Sequence, residues 1–335
     1  MGKFNDTLSK YRTEKNLIII FIISFAILGM LRPSQFLTLS NISSMAYQMP
    51  EFGIFTLGMM AIIMTGGINL SIVTTGTFIA IISALIMTSE FAVNSPILGI
   101  IVGLIVMIVM AIVTGCLNGA FVAYIGVPAL LGTLGTSSLF QGIGLNVTKG
   151  GAISGLPSQF MAIGNNDILG IPIPMIIYIV VIIFSHYFLM RSVFGVHLHM
   201  VGSNPRASEF SGIDIKKVIM KAFIYSAFMS ALAGMVMTAR YNSAKVDYGS
   251  SYMMQAVTAA VLGGTDISGG TGSVAGVVIA VAIIQVVTTG LNIIGLDRNL
   301  VDISIGLILI VVLTLRHFSE VSKNKKLIEK RRASS

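Results

Sequence analysis

The chain has 335 residues, of which 55% are hydrophobic and 10% charged, with a mean hydropathy of +0.91 and a formal net charge of +8. A soluble globular protein carries about 25% charged residues, so a water-soluble enzyme is excluded at this step. Continuous apolar stretches such as 96–110 and 172–183 argue against a membrane β-barrel, whose strands alternate over about ten residues. The composition predicts an all-α polytopic membrane helix bundle.

Crossing about 30 Å of hydrocarbon takes about 20 helical residues. The apolar runs fall at 17–31, 47–65, 72–87, 97–113, 128–145, 172–190, 218–239, 251–263, 273–291 and 301–315, which predicts about ten transmembrane helices. The first run follows Lys3, Lys10, Arg12 and Lys15 like a signal peptide, but Arg32, Pro33 and Ser34 replace a small-residue cleavage site. It therefore reads as an uncleaved first span. The run 251–263 holds Gln255 and Thr258, which suits a half-helix or re-entrant element.

Lys and Arg cluster in three blocks, 3–15, 191–221 and 316–332, with 4, 5 and 7 residues, or 16 of the 21 in the chain. Basic blocks beside apolar runs set membrane orientation, so they indicate topology and not nucleic acid. All three are predicted to be cytoplasmic, which ten spans allow. The chain then reads as a single transmembrane domain over 1–335, with a cytoplasmic N-terminus at 1–16, a cytoplasmic segment at 191–217 and a cytoplasmic tail at 318–335. Arg32, Lys149, Arg240, Lys245 and Arg298 fall outside, as does the polar segment 146–171, which suits a docking or gating loop. Cys116 has no partner in the chain and reads as a small packing residue.

The stretch Gly66-Gly67-Ile68-Asn69-Leu70-Ser71 is echoed by Gly263-Gly264-Thr265-Asp266-Ile267-Ser268, with Thr74 and Thr271 in the same alignment. Each precedes an apolar helix, and weak similarity between halves marks transporters built from structural repeats. Pseudo-repeated halves are therefore expected.

The chain carries no G-x-x-x-x-G-K-[ST] loop, H-E-x-x-H, CxxC or G-x-S-x-G motif, and so no recognisable nucleotide, metal or hydrolase chemistry. His197 and His199, two residues apart, do not share a helix face and read as solvated or phosphate-facing surface; no metal is expected. Ion coupling normally needs an ionisable residue within the membrane. On the predicted map Glu51 and Asp302 lie nearest, each at an outer, solvated end. The spans otherwise hold hydroxyl, amide and glycine groups, which could pass a neutral polyhydroxy solute; Thr133, Gln141 and Asn146 are candidates for its path. Gly99/Gly103, Gly115/Gly119 and Gly272/Gly276 have the spacing of close helix contacts.

The segment 202–215, GSNPRASEFSGIDI, is short, polar and flanked by cations. Pro205 after Asn204 predicts a short helix with Gly212 as terminator. A helix lying across the inner surface can pass force from something bound below it into the bundle.

At these residues the chain resembles the inner-membrane permease subunits of ATP-binding-cassette importers for simple sugars, the group with the ribose, galactose, arabinose and autoinducer-2 permeases. The matching stretches are GGINLS at 66–71, VPALLGTLGTSSLFQGIGL at 127–145, ISGLP at 153–157, RSVFGVHLHMVGSNPRASEFSGI at 191–213 and VTAAVLGGTDISGGTGSVAG at 257–276. That family usually has Asp at Asn69, Arg at Val196 and Glu-Ala-Ala at Arg206-Ala207-Ser208. The resemblance implies a transporter subunit and no enzyme. Its partners would be cytoplasmic ATPase subunits holding the ATP and Mg, a second permease chain, the same or different, and an extracytoplasmic solute-binding protein; its place would be the bacterial inner membrane, in contact with lipid. It further implies that Asn204, Ala207, Glu209, Ser211 and Gly212 couple to the ATPase, and that Gly66, Gly67, Asn69, Ser71, Gly263, Gly264 and Asp266 shape inner turns nearby. A nucleoside permease of the same family and a stand-alone secondary carrier are the alternatives.

Overall fold

A computed structural model describes residues 2–297, 299–312 and 314, with side chains from Glu14 onward; the tail expected at 318–335 lies outside them. The helices are α1 (Gly2–Leu31), α2 (Pro33–Phe36), α3 (Leu39–Met64), α4 (Ile72–Met87), α5 (Glu90–Asn94), α6 (Pro96–Gly119), α7 (Ala129–Thr148), α8 (Ser158–Asn165), α9 (Ile173–Met190), α10 (Val193–Ser203), α11 (Pro205–Phe210), α12 (Ile215–Tyr241), α13 (Tyr252–Leu262), α14 (Val274–Ile294) and α15 (Asn299–Val312). Each of the ten apolar runs coincides with one of them.

Among the described residues, five helices are long and apolar enough to cross a membrane: Glu14–Leu31 of α1, Pro96–Ile125, α9, α12 and α14. The protein is a multi-pass helical membrane bundle. The run 97–113 underestimates its helix because Thr114, Gly115, Asn118 and Gly119 interrupt the apolar pattern without ending the helix, which continues through a π-helical turn, Ala120–Ile125. Gly115 and Gly119 face α12, where a Cβ on Gly115 would lie 2.7 Å from Ile224 Cα. At 11 residues, α13 is about 16 Å long, half the hydrocarbon thickness, so the half-helix alternative is the one found.

The centre is α12, 78% of whose span is buried; α3, α4 and α6 pack along it. Backbones meet there, since a Cβ on Gly76 would lie 2.6 Å from Ser230 O. On the periphery, Ile19, Ile22 and Ile27 of α1, Ile105, Ile108 and Ile112 of α6, and Ile179, Val180 and Ile183 of α9 are exposed. In water such rows would forfeit about 25 cal/mol per Å² of apolar surface; in a bilayer they face lipid.

The two ends of the bundle differ. At one, here the basic end, α10 and α11 lie beside the α3–α4 and α13–α14 turns. At the other, the far end, the loop between α7 and α9 is folded and anchored. Strand β1 (Ile153–Ser154) pairs antiparallel with β4 (Ser243–Ala244), and β2 (Asp167–Ile168) with β3 (Ile171–Pro172). Helix α8 rests on the end of α12: Asn165 Nδ2 donates to Ala239 O at 3.0 Å, and Gly164 packs directly on the backbone of Ala239 and Arg240.

Candidate functional site

The basic end is built from three chain reversals. α3 ends in a left-handed Gly66 (φ 82°), with Gly66 N–H donating to Ile63 O at 2.8 Å and Gly67 N–H to Ile62 O at 3.2 Å. α13 ends the same way: Gly264 has φ 101°, its N–H donates to Val261 O at 3.1 Å, and Thr265 N–H to Ala260 O at 3.0 Å. Both are helix stops of the Schellman type. After each, an Asx side chain closes a turn, Asn69 Oδ1 accepting from Ser71 N–H at 3.0 Å and Asp266 Oδ1 from Ser268 N–H at 2.9 Å. The echo is therefore structural, with one adjustment: the helix ends align Gly66 with Gly264 and not with Gly263, and the second turn is one residue shorter before its Asx residue. Gly263 instead packs against α14, where a Cβ would lie 2.5 Å from Val277 Cα.

The third reversal is the segment 203–214. Asn204 Oδ1 accepts from Ala207 N–H at 3.0 Å, capping α11 with Pro205 at its first position. Ser211 Oγ donates to Ala207 O at 2.9 Å, and Gly212 turns the chain at φ 80° with its N–H on Glu209 O at 2.9 Å. Asn204, Ala207, Glu209, Ser211 and Gly212 are all exposed, as is Phe210, while Ser208 is buried. A groove of about 290 Å³ runs between α10 and α11, lined by His199, Ser203, Asn204, Ala207 and Ser211 among others.

The three reversals are joined without intervening side chains. Gly202, next to last in α10, has its Cα face against Met64 O and Gly270 N, and Gly270 packs on Ser203. Gly270 N–H donates to Met64 O at 2.9 Å, and Gly269 lies against Gly66 N. His199 Nδ1 lies 2.8 Å from Gly270 O. His199 is thus half-buried and anchored, contrary to the solvated reading of the sequence. Its signal was only its position, five residues before Asn204.

Asn69 and Ser71 point away from this junction into a buried polar network. Asn69 Nδ2 donates to Ser226 Oγ on α12 at 3.1 Å, and Asn69 Oδ1 accepts from Ser71 Oγ at 2.8 Å. Asn118 Nδ2 on α6 donates to Ser71 Oγ at 2.9 Å, and Thr136 Oγ1 on α7 to Asn118 Oδ1 at 2.6 Å. Thr133 is buried and ties α7 to the first turn, accepting from Leu70 N–H at 2.9 Å. Gln141 and Asn146 lie exposed on α7, apart from both the junction and this network.

At the far end the structure corrects the solvated placement of Glu51. Glu51 is fully buried in α3; Arg240 Nε contacts its Oε1 at 2.9 Å, Tyr252 OH donates to its Oε2 at 2.6 Å, and Tyr241 OH lies 3.3 Å from the same oxygen. Arg240 Nη2 also donates to Tyr241 OH at 2.8 Å. An acid inside an apolar run persists only when partnered, and Arg240, at the end of the run 218–239, was the available cation. The cluster joins α3, α12 and α13, the two outer members of which begin or end in the basic-end turns.

A family model described as the branched-chain amino acid transport system permease component matches residues 41–313. The chain belongs to this family of permeases. Among curated relatives, the ribose import permease protein RbsC of Bacillus subtilis is 35% identical, over 86% of this chain and 88% of its own length. The autoinducer 2 import system permease protein LsrD of Enterobacter sp. is 30% identical, over 92% and 94%. RbsC of Haemophilus influenzae is 31% identical, over 95% and 98%. No solved structure matches the chain. This permease is a transporter component and no enzyme, and the five helices of spanning length fit that role.

Proposed function

We propose that this permease carries a small neutral polyhydroxy solute, a sugar such as ribose or an autoinducer-2-like derivative, across the bacterial inner membrane. A binding protein delivers the solute outside, and ATPase subunits holding ATP and Mg act from the cytoplasm on the basic end. A second permease chain completes the pathway, and both termini of the chain lie inside. Family membership, the relatives' printed functions and the clustered cations support this reading.

The observation that carries it is the backbone contact at Gly202. Displacing α11 moves the end of α10, and the end of α10 lies against both the α3 and the α13 turns. α3 leads to Glu51 and α13 leads to Tyr252, which bond each other beside Arg240. A push at the basic end therefore reaches the far end along two rigid helices, a discrete repacking of the kind that switches access.

The reading is tested by purifying the tagged chain from native membranes and identifying what accompanies it. A stoichiometric cassette ATPase with solute-stimulated hydrolysis is expected. Recovery of the chain alone, active as an ion-driven carrier, would overturn it.

A further inference from the structure

A cavity of about 490 Å³ opens at the far end between α3, α12, α13, α14 and the start of α15. Its size lies within the roughly 300–1,000 Å³ of small-molecule sites. It reaches deep into the bundle. Gln255, its innermost lining residue on α13, is 7 residues before the end of that helix, about 10 Å along the axis from the basic-end turn.

The backbone above α13 is not helical: from Asn242 to Ser251 it runs as a left-handed residue, the short strand β4 and turns. At membrane depth irregular backbone is tolerated only where it is enclosed by protein or lines a water-filled cavity, and Tyr248, Gly249 and Ser251 line this one. Half-helices of this kind frame solute sites in transporters built from repeats.

The lining chemistry is specific. Gln255, 6% exposed, lines the cavity with its side-chain amide. The Thr288 hydroxyl, also in the lining, is buried and unpartnered. A buried polar group left unbonded is unfavourable, and an occupant carrying both donors and acceptors would satisfy it. Gln48 and Asn292 add two more neutral amides, and Asp302 a carboxylate able to accept from adjacent hydroxyls. The fixed charge of Arg240 is met by Glu51 and that of Asp247 by Lys245 at 3.1 Å, so neither pair holds an ion. The rings of Tyr241 and Tyr252, fixed by their bonds to Glu51, supply flat apolar faces.

We propose that this cavity is a solute-binding site within the permease, taking one neutral polyhydroxy molecule on its way from the outer face to the basic end, with Gln255, Thr288 and Asn292 as its hydrogen-bonding groups. The proposal rests on the importer reading. The loop carrying β1 and α8 is bonded to β4 and to the end of α12, so a protein docked on that loop acts on segments adjoining the wall of the site.

The test uses membrane vesicles holding the complete importer with its binding protein. Gln255→Leu and Asn292→Leu should each lower the maximal ATP-driven uptake of radiolabelled ribose about tenfold or more, leaving the binding-protein concentration for half-maximal uptake unchanged. In a second arm, Gln255→Cys and Thr288→Cys on a Cys116→Ala background should react with a small charged thiol reagent, and saturating ribose should slow the reaction several-fold. Wild-type uptake rates in both leucine variants, with no ribose protection, would overturn the site. Absent ATP-driven uptake in the wild type is instead a failure of the importer reading; the thiol arm then decides the cavity alone, and a Gln255→Cys thiol that the reagent never reaches overturns it.

Discussion

Arg240→Met isolates the contribution of the far-end ion pair. Glu51 has no exposure, and Arg240 Nε is 2.9 Å from its carboxylate with the arginine side chain 17% exposed. Removing one partner of a buried pair costs about 3–5 kcal/mol, because the remaining charge stays buried without its counter-charge. At about 1.4 kcal/mol per tenfold, that is two to four decades in the ratio of intact to opened protein. Replacing both, as Glu51→Leu with Arg240→Met, removes the stranded charge; Tyr241 and Tyr252 can then bond water in the adjoining cavity, and stability should return most of the way to wild type. The assay is a double-mutant cycle read by reversible unfolding in mixed micelles, with a coupling of at least about 2 kcal/mol expected. Single variants within about 0.5 kcal/mol of wild type, or a double variant equal to the sum of the singles, would refute the assignment.

At the junction, Gly202→Ala places a methyl group against Met64 O and Gly270 N; overpacking of this kind costs about 1–3 kcal/mol, and solute-stimulated ATP hydrolysis should be lost from a chain that still inserts. Gly212→Pro should do the same, because Gly212 has φ 80° and its N–H bonds Glu209 O, neither of which proline can provide; wild-type hydrolysis in either variant would contradict the coupling path. Asn69→Asp, the residue usual in the sugar permeases that this chain resembles, should be tolerated in a thermal-stability assay, since Ser71 N–H, Ser71 Oγ and a rotated Ser226 hydroxyl can all donate to it; Asn69→Leu should lose several kcal/mol by orphaning them. The Asp214 carboxyl is held below its ordinary value by the backbone N–H and then the ammonium group of Lys217, at 3.1 and 3.0 Å. With the folded value depressed, its stabilisation is complete above the ordinary carboxylate range and lost as pH falls through the lower folded value, so Asp214→Asn should flatten the acid limb of a stability–pH profile.

Local signals in the sequence carried the helices and their stops. Asn204-Pro205 and Gly212 mark the bounds of α11 because capping and positive φ depend on residues within one turn. The echo of GGINLS marks both basic-end turns for the same reason, although its alignment slips by one residue where the second turn shortens. Long-range pairing was not legible in this way. Glu51 meets an arginine and two tyrosines 189 to 201 positions away in sequence, so its burial follows from the packing of α3 on α12 and α13, and apolar periodicity says nothing of it. The length of α6 was misread because Gly115 and Gly119 lower hydropathy while serving a close helix contact. The far-end cavity was visible only as scattered polar residues, Tyr241 and Gln255 among them, which hydropathy alone cannot assign to one face.

The central claim is that ATP acting at the basic end drives solute through this chain. The direct measurement is ribose accumulation in proteoliposomes containing the purified complex, with loaded binding protein on one side and ATP on the other. Accumulation that requires ATP and persists when ionophores collapse all ion gradients is the predicted result. Accumulation that follows a proton or sodium gradient without ATP would contradict it.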